Sequence, residues 1–135
     1  MNKLEGKIVE IQSSQNISMV KIDIDGDVFS SIILEGMSGP SNYKLNDSTA
    51  ILFKEAEVGI AKGLTGRISL RNRFKAIIKK IEKAPILAKI TLRYRKYDIE
   101  SIITTLSAEQ LELKENEEVE WLVKANEVTL MKKTA

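Results

Sequence analysis

Apolar and polar residues alternate with a period of two along much of the chain, the spacing of half-buried strands rather than of helices. Lys7-Ile8-Val9-Glu10-Ile11, Ser18 to Ile24, Val28 to Leu34 and Thr49 to Phe53 are short β-rich runs divided by polar or glycine-bearing turns. Asp25-Gly26 is a hairpin signal, because glycine accepts the positive φ of the tight turns that match strand twist. Similar runs return at Ile77–Ile81, Ala88–Tyr94, Ile99–Thr104 and Val119–Val123. One stretch has helical character: Ser107 reads as a capping serine ahead of Ala108-Glu109-Gln110-Leu111. Met37-Ser38-Gly39-Pro40-Ser41, at the equivalent place earlier in the chain, has the composition of a loop.

The return of the pattern is a repeat. Sliding the sequence against itself by 70 residues, without a gap, sets Asn2 on Asn72, Ile8 on Ile78, Ile11 on Ile81 and Val20 on Ile90. Ser31-Ile32-Ile33 then falls on Ser101-Ile102-Ile103, Leu52 on Leu122, Lys54 on Lys124, and Glu57-Val58 on Glu127-Val128. An unbroken register that matches polar as well as apolar positions implies a tandem duplication. The sequence therefore predicts two domains, 1–64 and 65–135, where the length alone suggests one. About five short strands in roughly 65 residues suit a small OB-like antiparallel β-barrel. The expected fold is thus all-β: two tandem barrels of that kind, with one short helix at least in the second. Units so small bury little surface alone, which predicts that the other copy or other chains cover them.

Composition narrows the chemistry. The chain has no Cys and no His, which excludes thiol nucleophiles, disulfides, zinc fingers, imidazole bases and His-ligated metal cations. Apolar residues are 43%, enough for a core, but aromatics are only 5%, too few for platforms that stack bases. With 21 basic and 19 acidic residues the net charge is +2, which argues against nucleic acid as a partner for this chain alone, although basic residues gather between Arg67 and Lys96. No apolar run is long enough to span a membrane, and the start MNKLEGKIVEI lacks the apolar segment of a signal peptide, so a cytoplasmic protein with no membrane partner is expected.

Three segments carry the most information. Ser69-Leu70-Arg71-Asn72-Arg73-Phe74, then Ile103-Thr104-Thr105-Leu106-Ser107, then Val123-Lys124-Ala125-Asn126-Glu127-Val128 occur in that order in the second copy. Together they resemble the Mop or TOBE domain of molybdate-binding proteins, whose pattern is Ser-Ala-Arg-Asn, then Ile-Thr with a following Ser, then Lys-Ala-Ser-Glu-Val. The first copy resembles the same domain through Leu4-x-Gly6, Ser31-Ile32-Ile33 and Phe53-Lys54-Glu55-Ala56-Glu57-Val58. It retains only Asn2 of the first motif and has Leu34 and Met37 where the second copy has Thr104 and Ser107. The whole chain thus resembles a tandem, di-Mop arrangement, as also found in the effector part of molybdate-responsive regulators.

The resemblance implies a molybdate or tungstate site, and the residue types suit one. A tetrahedral dianion offers only acceptors, so its site needs hydroxyls, N–H groups, Arg and Lys, and no carboxylate. Carried over residue by residue, Ser69 supplies a hydroxyl, Leu70 completes the motif, Arg71 gives charge or a backbone donor, and Asn72 is a positioning amide. Thr104 and Ser107 add donors, Ser107 at the start of the short helix; Lys124 adds charge, and the backbone of Ala125 and Asn126 closes the pocket. Asn126 stands where the family has Ser, replacing a hydroxyl by an amide. Lys54 marks a weaker site in the first copy.

Singly, these residues have plain structural readings: Ser69 ends a strand, Arg71 and Lys124 lie on a solvated face, and Ser107 caps a helix in either reading. Their joint occurrence points to the oxyanion. Trp121, opposite Ile51 in the other copy, reads as packing, and Glu115, Glu117, Glu118 and Glu120 read as a solvated acidic turn. No catalytic constellation stands out, so a binding protein and not an enzyme is expected. The expected role is intracellular storage, buffering or homeostasis of molybdenum, by a homo-oligomer, dimer or trimer, that holds the oxyanion between chains. The alternatives are the sensing effector of a transcription regulator and, from another class, an OB-like nucleic-acid module. The chain has neither a helix-turn-helix nor a phosphate loop of the G-x-x-x-x-G-K-[ST] type. The start at Asn2 within the first motif fits either a natural beginning or a piece of a longer regulator or transporter ATPase.

Overall fold

A computed structural model describes residues 1–34 and 43–133. The predicted loop Met37 to Ser41 falls outside the described residues. The first copy forms β1 (Asn2–Ser14), β2 (Ile17–Ile24), β3 (Asp27–Leu34), β4 (Ser48–Phe53) and β5 (Gly59–Ala61). The second forms β6 (Asn72–Lys83), β7 (Leu87–Tyr94), β8 (Tyr97–Thr104), a helix α1 (Thr105–Gln110), β9 (Glu118–Val123) and β10 (Thr129–Lys132). One 3₁₀ turn, Glu55–Glu57 or Ala125–Glu127, stands before β5 and β10. Nearly every boundary in the second copy lies 70 residues after its counterpart, as from Asn2 to Asn72 and from Ser48 to Glu118. Even the irregularities repeat: β1 bulges between Ile8 and Glu10, and β6 between Ile78 and Lys80. Each bulge adds a residue to one side of a ladder and increases its local twist.

The all-β architecture expected from the alternation is present: two antiparallel sheets of five strands each and one short helix. The sheets are not filled copy by copy, however. Their strand orders are β10-β4-β1-β2-β3 and β5-β9-β6-β7-β8, so each copy's last strand pairs in the sheet otherwise built by the other copy. β5 runs antiparallel to β9, with Ile60 opposite Trp121, and β10 runs antiparallel to β4, with Leu130 opposite Ile51. The compact units follow these pairings. A first-copy unit comprises Lys3–Phe53 and Lys124–Ala135; a second-copy unit comprises Met1–Asn2 and Lys54–Val123. The division at 64 and 65 describes the repeat in the sequence, whereas the contacts divide the chain after Phe53 and after Val123.

In the first-copy unit the core is aliphatic with two phenylalanines: Leu4, Ile8, Val20, Ile22, Ile24, Ile51, Phe29 and Phe53 are all at most 1% exposed. Gly6 on β1 is required by close approach, because a Cβ there would run into the Asp23 carbonyl oxygen and the Ile24 side chain. Asp25 and Gly26 both have positive φ, 51° and 97°, as the hairpin signal predicts. The sheet curls until β3 meets the incoming C-terminal segment, where the buried Ser31 hydroxyl donates to the Val128 carbonyl at 2.6 Å.

The second-copy unit repeats that closure: the buried Ser101 hydroxyl donates to the Val58 carbonyl at 2.7 Å. Its core adds an aromatic cluster to aliphatic residues such as Ile78, Ile90, Leu92 and Ile99. Trp121, fully buried, packs against Phe74 and Tyr94 with ring centroids 5.6 and 5.2 Å away, which confirms it as packing. The Trp121 and Tyr94 rings are committed to the interior rather than displayed for stacking, and Phe74 is half-buried beside them. α1 begins three residues earlier than its sequence suggests. Thr104, still extended at φ −68° and ψ 146°, is the cap and accepts from the Ser107 N–H at 3.0 Å. Ser107 is inside the helix, so its reading as the cap is corrected: the strand runs on to Thr104, and the hydroxyl at the last extended residue meets the free N–H groups first.

Candidate functional site

Of the residues singled out in the sequence, the second-copy unit holds Ser69, Leu70, Arg71, Asn72, Thr104, Ser107 and Lys54. The first-copy unit holds Lys124, Ala125 and Asn126. Exchange of the last segments is the cause, since each third motif leaves its own copy's sheet at the end of β4 or β9.

Ser69 and Arg71 are exposed on the connection that leads into β6, while Asn72, the first residue of the strand, is fully buried. That connection is anchored at both ends. Lys62 donates to the carbonyls of Leu111 and Glu112, each at 3.1 Å, and pairs with Glu117 at 2.8 Å. Near the other end Arg73 grips Glu120 through two bonds of 2.6 and 3.0 Å and donates to the Leu64 carbonyl at 3.2 Å. Hydrogen bonding to Lys62 and to Arg73 holds the carboxyls of Glu117 and Glu120 below the usual carboxylate range, and the bond with Glu120 raises the Arg73 guanidinium further. Three members of the acidic turn are ion-paired, Glu118 with Lys75 at 4.0 Å besides these two, which corrects their reading as merely solvated. The basic run is tied down likewise: Lys79 pairs with Asp98 at 2.9 Å, and Lys89 lies 3.7 Å from Glu82 and 3.8 Å from Glu100.

Elsewhere in the same unit, Thr104 and Ser107 form a hydroxyl pair, Oγ to Oγ 2.8 Å. Thr104 is exposed and Ser107 half-buried. Beside them stands an apolar rim: Ile86, Leu87 and Leu106 are 77%, 51% and 64% exposed. The Thr105 N–H bonds the Ile86 carbonyl at 2.8 Å, and Leu87 lies opposite Thr104 in the β7–β8 register, so rim and hydroxyls are one surface.

The 3₁₀ turn after Lys54 packs along β8. Lys54 is exposed, and its backbone N–H donates to Glu57 at 2.9 Å. The turn after Lys124 packs along β3 in the first-copy unit. There Lys124 and Asn126 are exposed, Ala125 is half-buried, and Asn126 borders a mainly apolar cavity of about 540 Å³ with Ile33, Leu34 and Tyr43. Burial pushes the Tyr43 hydroxyl's pKa up.

Sequence reasoning missed two participants in this neighbourhood. Asn2, almost buried, bonds the Glu100 backbone twice: Nδ2 donates to its carbonyl and Oδ1 accepts from its N–H, both at 2.8 Å. The Met1 nitrogen lies 2.7 Å from the Glu55 carboxylate. The alignment of Asn2 with Asn72 was the available signal for the first; nothing local announced the second. Among the described residues no group of three Asp or Glu side chains is placed to hold a metal ion, and no helix is long and apolar enough to cross a membrane.

Comparisons with known proteins bear on the family and the fold. Residues 68–130, which contain all three motifs of the second copy, match the TOBE domain family. The fold matches a solved structure of the cytoplasmic molybdate-binding protein ModG, a form with molybdate bound, at a TM-score of 0.89. The two chains are 21% identical, over 96% of this chain and 94% of that one. No curated protein sequence matches. The second half of the chain therefore matches the TOBE family and, as its motifs indicate, the whole chain resembles the tandem Mop/TOBE molybdate-binding proteins.

Proposed function

We propose that this protein binds molybdate or tungstate without turning it over, at interfaces between copies of the chain, as a cytoplasmic store or buffer of the anion. The observation that carries the reading is the likeness along nearly the whole chain to ModG, which binds molybdate. The residue chemistry supports it: hydroxyls of Ser69, Thr104 and Ser107, amides of Asn72 and Asn126, backbone at Leu70 and Ala125, and the charges of Arg71 and Lys124 are all donors. Most of these face solvent in a single chain, where a dianion stays hydrated and gains little from each bond. A partner chain seated on the apolar rim of Ile86, Leu87 and Leu106 would dry the neighbouring donors and strengthen each charge-assisted bond. Dimer or trimer is the expected assembly.

Calorimetric titration tests the reading. Molybdate or tungstate should bind at sub-micromolar concentration, and Arg71→Ala or Lys124→Ala should weaken binding at least tenfold. A chain with no oxyanion binding, or one that binds oligonucleotides in a salt-sensitive way instead, would refute it. Light scattering tests the interface, since a strict monomer that still binds the anion is incompatible with a site shared between chains.

A further inference from the structure

Ser69, Leu70 and Arg71 lie on a connection with little packing of its own. From Lys62 to Arg71 no residue is buried, and only Leu64 and Leu70 are half-buried. Gly63 and Gly66 turn its backbone with φ of 63° and 92°, and a Cβ added at either would meet nothing within 4 Å. A segment with so few apolar contacts depends on polar ones to hold its shape.

Arg73, the second residue of β6, closes this connection on itself. Its Nη2 donates to the Leu64 carbonyl at 3.2 Å, nine residues back, so Ser69, Leu70 and Arg71 all fall within the loop that this bond completes. The same guanidinium is fixed by Glu120 on β9, which accepts from Nε at 2.6 Å and from Nη2 at 3.0 Å. Arginine's planar fork can serve the carboxylate and the carbonyl together, whereas a lysine ammonium is a point charge without that geometry. The bonds from Arg73 also hold the Glu120 carboxyl below the usual carboxylate range, so it stays ionised and gripping at neutral pH. The first copy has Lys3 and Ala50 at the positions of Arg73 and Glu120, and thus neither the fork nor the carboxylate.

We propose that Arg73 and Glu120 are positioning residues, a latch that presets the loop carrying Ser69 and Arg71 for the oxyanion. The Arg73 guanidinium is engaged by Glu120 and Leu64 and does not itself take the anion. Its effect is on order: donors already held in place need not be immobilised by the ligand, which would otherwise weaken binding. The latch rests on the proposed oxyanion function and deepens it, and its test separates the two.

A charged pair near an anion site could act through charge or through position, and the two predict opposite signs. Acting through charge, Glu120 repels the dianion, and Glu120→Ala would tighten molybdate binding. Acting as the latch, Glu120 fixes the guanidinium, and its loss weakens binding. Calorimetric titration of the 135-residue chain with molybdate at neutral pH should give a Kd raised about tenfold in Glu120→Ala, the effect of having to order a short loop on binding. Arg73→Lys, which keeps the positive charge but not the fork, should bind more weakly as well. Tighter binding in Glu120→Ala, or wild-type affinity in Arg73→Lys, would overturn the latch. Hydrogen exchange needs no ligand: amides of residues 65–71 should exchange faster in both variants, while those of β7 and β8 keep their protection. Unchanged exchange in the loop overturns the latch, and so does a loss of protection across the whole unit, which would make the pair merely structural. A wild type that takes up no molybdate overturns the proposed function, and the exchange measurement still decides whether the latch exists.

Discussion

The two units share strand order, register and bulge, yet fill their cores with different residues. Leu4, Ile24 and Ile51 in the first-copy unit stand where Phe74, Tyr94 and Trp121 stand in the second. Ile51 and Trp121 are both wholly buried in spite of their difference in size. Alternation, not residue identity, is what the backbone answers to: apolar side chains on one face of each strand suffice for the sheet, and volume is adjusted locally. Gly6 and Ala76 show the adjustment. The first-copy sheet has no room for a Cβ beside Asp23, while the other unit buries the methyl of Ala76 to 5% exposure.

The largest way to break this comparison is to empty the aromatic core. Trp121→Ala should lower stability by about 3–5 kcal/mol, the usual cost of truncating a large buried ring. Ile51→Ala should cost about 2–5 kcal/mol, with less volume lost. Urea unfolding of both variants compares them, and a Trp121→Ala loss below that of Ile51→Ala would show that the aromatic unit relaxes around the gap.

Most of this architecture is legible in the chain because its signals are local and periodic. The alternation marks the long strands, Asp25-Gly26 marks its turn, and the constant offset carries nearly every strand boundary from one copy to the other. The exchange of last strands is not legible. Gly59–Ala61 and Thr129–Lys132 are too short to specify a partner, and the sheet they join is decided by edges that exist only after folding. The helix start was misplaced by the same kind of competition, since Thr104 and Ser107 both offer a capping hydroxyl and the length of β8 decides between them. For the site, the motifs indicate the residues and the kind of chemistry, but not that Lys124 to Asn126 leave for the first-copy unit or that Met1 meets Glu55. Those placements depend on contacts between segments far apart in sequence.

Two smaller changes sharpen the comparison. Gly6→Ala should destabilise by about 1–3 kcal/mol, because the added methyl forces β1 away from the Asp23 carbonyl. Ala76→Gly, the reciprocal change, should cost less, about 0.5–1 kcal/mol of backbone entropy. Thermal unfolding distinguishes them, and equal losses would mean that Gly6 is not sterically required. Ser31→Ala and Ser101→Ala each remove the donor to a buried carbonyl on an exchanged segment, at an expected cost of about 1–3 kcal/mol. Hydrogen exchange at β10 should rise in Ser31→Ala and at β5 in Ser101→Ala. A rise spread evenly over both units would show that these bonds do not act on the exchanged strands.

The smallest expected effect separates the units by pH. Glu120 is held below its ordinary value of 4.5 by its hydrogen bonds with Arg73, and the first-copy unit has Ala50 at the corresponding position. A carboxyl whose folded value lies below its unfolded value stabilises the protein above the unfolded value, and that contribution is lost as pH falls through the folded one. Glu120→Ala, which copies the first unit, should therefore be slightly less stable than the wild type at pH 7. The difference should shrink below the ordinary value of 4.5 and vanish once the wild-type carboxyl is protonated. The pair is partly exposed, its side chains 25% and 22% accessible, so solvent screening keeps the effect small. Urea midpoints of both proteins at pH 7 and pH 3 decide the matter. A difference that persists unchanged at pH 3 would place the effect in the packing of the Glu120 stem rather than in its charge.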